Sequence, residues 1–551
     1  MHRARSPQRA TLLCVSAHLR RAWRAVERLV EGPLAAPALV AAALVVYAAV
    51  SAAVPLAAGR DFGRYLIVWV QLFQPHVVYP YALVSRPPGT ALVAGPLLEA
   101  GPLVAETGMA LLYAGSVLAW VAVAKRFGPA AAIATAAALL LYPGYVLLFH
   151  RLSSDALFAA AFALVALLVA RALDRPTAGR AAALGAAVAA LVLVRPAGQA
   201  LLLLVLLPLV AARSWRGRVQ GAAAFAAAAA LPLAGLAVHN ALRADDLTLV
   251  RGGGATFPLF RAFVADRIVQ PDNGPASEEL ARIVSRRLLP FEPYRSYGID
   301  IDEFFSSGSA RMHEDLIGLS DRVWGWDDDY RHLARVGREA VRAHASAYAR
   351  GVATDLWRLL LWPLYVDVRG AGAAPAARVL AGSGGGLPTP SEGEPIPAAR
   401  QSAHIATPDG RIREVWTSAT EHQVVFDDPA DAAGAAALDR HVHELEAAFP
   451  DRAARPGVAD RLDSASRWFP RPVVWLVVGL VAVGWRRPRG AATPLVLAGC
   501  ALLVLLTTAV AVYAVAEYSV PVVPAFVLLA TVGLLGRYRP LRGRPEAAPR
   551  I

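Results

Sequence analysis

The stretch GRDFGRYLIVWV at 59–70 places Arg60, Asp61, Arg64 and Tyr65 directly behind an apolar run. A carboxylate can take a proton from a hydroxyl, and guanidinium groups hold anions through charge-assisted hydrogen bonds. Asp61, Arg64 and Tyr65 stand at i, i+3 and i+4, so on a helix they share a face. Further polar residues mark the ends of other apolar segments. Arg86 lies in SRPPGT, His150 and Arg151 precede Asp155 in HRLSSD, Arg195 lies in VRPAGQ, and Glu517 and Tyr518 lie in AEYSVPVVP.

Each of these also has a plain structural reading. Ser153-Ser154-Asp155 is a good helix N-cap. Arg195-Pro196 can punctuate two helices, Arg86 can meet lipid headgroups, and His150 can be a satisfied interfacial histidine. Asp61 and Glu517 can sit in ordinary ion pairs, although an acid near a bilayer is costly without a partner or a task. Other clusters carry less chemistry. Asp300-Ile301-Asp302 and Asp327-Asp328-Asp329 follow no strand in a βαβ unit, so a nucleotide-sugar metal site is not indicated. His441-Val442-His443-Glu444 cannot put both histidines on one helix face. Gly252-Gly253-Gly254 lacks the lysine of a phosphate loop.

The elements around these residues are membrane spans. Of 551 residues, 56% are hydrophobic, and several windows exceed about 18 nearly uncharged residues. Spans are expected at 35–57, 107–124, 129–149, 156–172, 180–194, 197–212, 219–239, 471–485, 491–513 and 519–536. The net charge of +13 is mostly arginine in the loops. Ten crossings put every basic loop inside, with both termini cytoplasmic. The same charge is therefore topogenic, and no nucleic-acid motif accompanies it. The two cysteines, Cys14 and Cys500, imply neither disulfide nor metal site. The start reads as a basic tail rather than a cleavable leader. Abundant Ala, Arg, Gly and Pro with little Lys indicates a GC-rich bacterial genome, hence a bacterial plasma membrane.

The resulting division is a basic tail (1–34), an N-terminal transmembrane module (35–239) whose first external loop is 58–106, an external region (240–470), C-terminal spans (471–536) and a second basic tail (537–551). Within 240–470, amphipathic helices are expected at 277–290 and 328–350, and a hairpin at 409–426. Residues 353–366 hold Asp355 and Arg358 in an apolar run and read as an interfacial helix that does not cross. The prolines of SRPPGT predict an extended stretch beside the membrane.

In order and spacing, GRDFGRYL, SRPPGTALVAGPLLE, LYPGYVLLFHRLSSDALFAAAFALVALLVAR, LVLVRPAGQALLLL and EYSVPVVPAFVLLA resemble the GT-C glycosyltransferases, the superfamily of the protein mannosyltransferases and lipid A aminoarabinose transferase. The resemblance covers roughly 35–240 and 470–536. It implies an all-α polytopic enzyme of about ten transmembrane helices with a large external region of mixed helix and loop. Such an enzyme is inverting and moves a sugar from a polyprenyl phosphate to an envelope glycan, lipid or protein outside the membrane. Asp61 occupies the family's first-loop acid, the base or acceptor-orienting group. Phe62 stands where many relatives have a second acid, and Glu517 is followed by Tyr518 where relatives often have Glu-Arg-Tyr. In this reading Arg64, Arg86 and Arg195 hold the donor phosphate. Tyr65, His150, Asp155, Glu517 and Tyr518 line the cavity, with Asp155 or Glu517 orienting the acceptor or a divalent cation. No cofactor is otherwise implied. The rival is a transporter or flippase for an envelope lipid, which would carry ionisable groups near mid-bilayer and repeated halves.

Overall fold

The computed structural model describes residues 31–60, 62–74, 76–251, 256–291, 294–325, 329–362, 366, 403–405, 411–416, 422–450 and 455–537. Asp61, Gly252-Gly253-Gly254, Asp327 and Asp328 lie outside the described residues.

Each of the ten apolar segments holds a helix. The first, α1 (Ala35–Ser51), ends short of residue 57 because Pro55 disfavours helix at the residue before it. The chain then forms a two-residue strand, β1 (Ala57–Ala58), before α2 (Phe62–Leu72), which opens the first loop. Two more helices of that loop follow, Pro80–Val84 and Gly89–Glu99. Pro88 is in the helical region at the start of the second, so SRPPGT turns into a helix instead of staying extended. The fixed φ of proline suits a first helical turn as well as it suits extended chain.

Next come α3 (Pro102–Ala124), then α4 (Pro129–Leu140) and α5 (Pro143–Phe149), a pair bent by 64°. Pro143 accounts for the break, since it cannot supply an N–H to the preceding turn. After β2 (Arg151–Leu152) run α6 (Ser154–Asp174), α7 (Ala178–Val194), the stretch Pro196–Ala211, and α8 (Trp215–Ala244). Among the described residues, five helical stretches are long and apolar enough to cross a membrane: Pro102–Phe127, Ser154–Asp174, Trp215–Ala244, Pro456–Arg486 and Ala492–Ala511. The bent pair makes a sixth, and Ala35–Ser51, Ala178–Val194, Pro196–Ala211 and Val523–Leu535 are shorter apolar helices. The protein is thus a helical, polytopic, membrane-embedded chain.

The region after α8 builds a core of its own. Leu259, Phe263, Leu280, Val284, Phe304 and Leu316 pack together there. They come from the stretch before helix Pro275–Arg287, from that helix, from Ile301–Ser306 and from α9 (Ala310–Trp324), and Leu333 and Val336 of helix Asp329–Ala343 join them. The long helix expected at 328–350 is divided near His344, after which α10 (Ala345–Leu361) begins. The stretch 353–366, expected to be interfacial, includes the end of α10, and residues 363–365 fall outside the described residues. The hairpin exists as β4 (Ile412–Trp416) against β5 (His422–Phe426), antiparallel, with β3 (Ala403–Ile405) adding a third strand beside β4. Asp300 accepts a hydrogen bond from the Glu303 N–H at 2.7 Å and caps a short helix, the structural role for that acid pair. The C-terminal helices are α11 (Pro472–Arg486), α12 (Ala492–Ala511) and α13 (Val523–Leu535).

The bundle has two chemically distinct ends. Asp155 and Asp174 lie at opposite ends of α6, separated by about 30 Å at 1.5 Å per residue. At the Asp174 end, Arg126 pairs with Asp174 at 2.9 Å, Arg180 donates to the Arg171 carbonyl, and the Arg537 N–H donates to the Phe127 carbonyl at 2.7 Å. At the Asp155 end stand β1, β2, the close of α7 and the turn between α12 and α13.

Candidate functional site

Six separate segments meet at the Asp155 end. The first is fixed by the short parallel ladder between β1 and β2. Ala57 N–H donates to the His150 carbonyl and Gly59 N–H to the Leu152 carbonyl, both at 3.0 Å. A Cβ on Gly59 would come within 2.4 Å of the Ser153 Cβ, so this close approach requires glycine. Arg60 leaves the ladder next. Its Nη2 lies 3.1 Å from Glu517 Oε2, and its Nη1 donates to the Tyr518 hydroxyl at 3.4 Å.

The second and third segments are the start of α6 and the end of α7. Ser153, not Asp155, caps α6 by accepting from the Ala156 N–H. Asp155 is thereby left to pair with Arg195, and it does so. Pro196 forces Arg195 out of the helical region (φ −155°, ψ 132°), which ends α7 and aims the guanidinium across the bundle. That group lies over the Tyr518 ring, 4.2 Å from its centroid, while Arg60 lies 5.1 Å from the same centroid. Tyr518 is thus shared by two cations, a favourable use of the ring face. Glu517 and Tyr518 sit on the 3-10 turn Ala516–Ser519, and the Ser519 hydroxyl donates to the Leu359 carbonyl of α10 at 2.6 Å.

The remaining two segments are α2 and the SRPPGT loop. Tyr65 is buried, hydrogen-bonded to the Ser154 side chain and near Arg86, Arg195 and Asp155. Burial raises its pKa above the ordinary phenol value, so it is a neutral hydrogen-bonding group here. The loop packs so tightly on the end of α7 that a Cβ on Gly89 would meet the Leu193 carbonyl at 2.6 Å. Burial works against the charges of Arg60 and Arg195. For Arg60 the groups Tyr518, Asp155 and Glu517 outweigh it, for Arg195 mainly Asp155 and Tyr518, and both pKa values end up raised.

Two expected site residues stand elsewhere. Arg64 does not join the cluster: it pairs with Glu314 of α9 at 3.2 Å, and both side chains are about half exposed. Tyr65 takes the buried face of α2, and adjacent helix positions do not face the same way, so Arg64 is turned outward. His150 does not line an opening. It is fully buried, stacked on Tyr47 with ring centroids 4.0 Å apart, and its Nδ1 donates to the Val146 carbonyl at 2.9 Å. It closes α5 against the apolar core.

The arrangement can bind an anion. Arg60 and Arg195 stand against Glu517 and Asp155, Arg86 lies near Tyr65, and Arg151 donates to the Ala58 carbonyl at 3.4 Å. Arg60 and Glu517 keep 24% and 22% of their side-chain surface exposed, enough to be reached by a ligand. Among the described residues, no three His, Cys, Asp or Glu side chains converge as a metal would need. Arg60 was legible as a charge in the sequence but not as a site residue. Its partner is 457 residues away, and no local spacing reports such a contact.

No family model matches the chain, and no curated protein matches it either. Among solved structures, ArnT from Cupriavidus metallidurans bound to undecaprenyl phosphate aligns at 15% identity and a TM-score of 0.31, over 92% of this chain and 78% of that one. The same protein in its apo state aligns at 16% identity and a TM-score of 0.30, over 90% and 76%. At TM-scores this low, the two alignments add nothing to what the cluster itself supports.

Proposed function

We propose that this protein is a membrane glycosyltransferase that moves a sugar from a polyprenyl-phosphate donor to an envelope glycan, lipid or protein. The observation that carries the reading is the cluster of Arg60 and Arg195 with Asp155, Glu517 and Tyr518, beside Tyr65 and Arg86, at the end of the bundle opposite the arginine-rich loops. Those loops mark the cytoplasmic side by the positive-inside rule, so the cluster faces outward. No pool of nucleotide sugars exists there, which makes a lipid-borne donor the natural source. Its phosphate would sit at headgroup level against the arginines, and its tail among the apolar helices.

In the reaction the acceptor oxygen attacks the anomeric carbon as the bond from that carbon to the phosphate oxygen breaks. The bonding pair leaves with the phosphate, and the arginines stabilise the charge gained there. Attack from the face opposite the leaving group inverts the anomeric centre. Asp61, adjacent in sequence to Arg60, is the base that takes the acceptor proton in this reading. Tyr65 and Tyr518 shape the floor. A transporter would hold its ionisable groups near mid-depth, whereas the groups of this cluster stand at helix ends.

The test is single-turnover transfer on purified, monodisperse protein, with the donor class set by mass spectrometry of copurifying lipid. Asp61→Asn should lower transfer by about 10²-fold or more with donor affinity little changed, the scale expected for losing a general base. Near-normal turnover in Asp61→Asn, Asp155→Asn and Glu517→Gln alike would overturn the enzyme reading.

A further inference from the structure

The two ion pairs around Tyr518 differ in how firmly they are held. Asp155 lies in the first turn of α6, where the helix dipole favours its charge, and its side chain is only 9% exposed. Glu517 lies on a single 3-10 turn and is 22% exposed. Arg60 Nη2 lies 3.1 Å from its Oε2, and Arg60 Nη1 donates to the Tyr518 hydroxyl. A phosphate entering the cluster competes with Glu517 for Arg60 far more easily than with Asp155 for Arg195.

We infer that Glu517 is a resident counter-ion that the phosphate displaces from Arg60, and that its repulsion afterwards drives the product phosphate out. The inference rests on the donor reading above. A sugar-linked polyprenyl phosphate is a diester with one negative charge. The product is a monoester carrying about −1.5 to −2 at neutral pH. Glu517 therefore opposes the product more than the donor. Arg60 moves between carboxylate and phosphate without leaving the Tyr518 ring, while Arg195 stays on Asp155.

The experiment measures binding of a short-chain polyprenyl phosphate and of its methyl phosphodiester to the full-length protein in nanodiscs. Glu517→Gln should bind the monoester about three- to ten-fold more tightly than the unmodified protein, the range set by relieving one partly exposed charge, and the diester with a smaller gain. Glu517→Asp, one methylene shorter, should show the same sign at reduced size and serves if the glutamine variant is not monodisperse. In an Arg60→Ala background the gain from Glu517→Gln should shrink, since the two act through one another. Unchanged or weaker monoester binding in folded Glu517 variants would make Glu517 a support that positions Arg60, and the exchange would be wrong. Failure of the unmodified protein to bind either phosphate would instead sink the donor reading, and this inference with it.

Discussion

Arg261 and Arg195 both face buried aspartates, and both stand beside a tyrosine ring, Tyr348 at 5.7 Å and Tyr518 at 4.2 Å. Their surroundings differ in saturation. Arg261 is 1% exposed and donates to both oxygens of Asp266, to Asp355 and to the carbonyls of Ala509 and Val512. Every part of its fork is occupied, by the region after α8, by α10 and by the end of α12. Arg195 sits at a partly open end, with Asp155 as its ion-pair partner, the Tyr518 ring under it and Arg60 over the same ring. Saturation makes the Arg261 centre a joint, because a ligand would have to break bonds that cannot be replaced. A simpler set of partners and partial exposure leave the Arg195 centre with capacity for an anion.

Substituting the two arginines should separate these roles most sharply. Arg261→Ala leaves Asp266 buried without its cation and Asp355 with only the half-exposed Arg358, a loss of about 3–5 kcal/mol, and should lower thermal stability in detergent. Burial already raises the pKa of Asp266 even with Arg261 present, so the site has little tolerance for losing it. Arg195→Ala leaves Asp155 near Arg60, so it should cost less stability than Arg261→Ala while weakening donor phosphate binding by about 1.5–3 kcal/mol. Equal losses of stability in the two variants, read by fluorescence melting, would erase the distinction between joint and binding site.

Acid should act on the Arg261 side first. His313 lies between Phe260 and Phe263, and burial lowers its pKa from 6.5 to about 4. Its folded form is neutral while the unfolded form gains a proton below 6.5. The stabilisation is therefore full above that value and declines as pH falls toward 4, by about 3 kcal/mol at 1.36 kcal/mol per unit. His313→Leu should flatten the dependence of the melting temperature over that window. An unchanged acid limb in this variant would assign the effect to the carboxylates.

The smallest effect belongs to Arg64 and Glu314. Their pair is half exposed and contributes about 0–1 kcal/mol. Arg64→Ala should leave phosphate affinity unchanged, unlike Arg195→Ala. A loss as large as that of Arg195→Ala would return Arg64 to the site.

Much of this molecule follows from local sequence. The apolar runs become helices because backbone groups in hydrocarbon must satisfy one another within a segment. Pro55, Pro143 and Pro196 mark breaks or ends, and Ser153, Thr177 and Ser214 cap the helices that follow them. The alternation at 409–426 was enough to expect strands, and the polar residues at span ends already named Tyr65, Arg86, Asp155, Arg195, Glu517 and Tyr518. Tertiary structure decided their company. The phase of α2 buries Tyr65 and turns Arg64 to Glu314, and the β1–β2 ladder brings Arg60 to the cluster. Arg261 meets Asp355 across 94 residues and Arg60 meets Glu517 across 457. Helix periodicity is local, so it can be read along the chain. An ion pair between distant segments depends on how helices pack, and no residue's neighbours in sequence encode it.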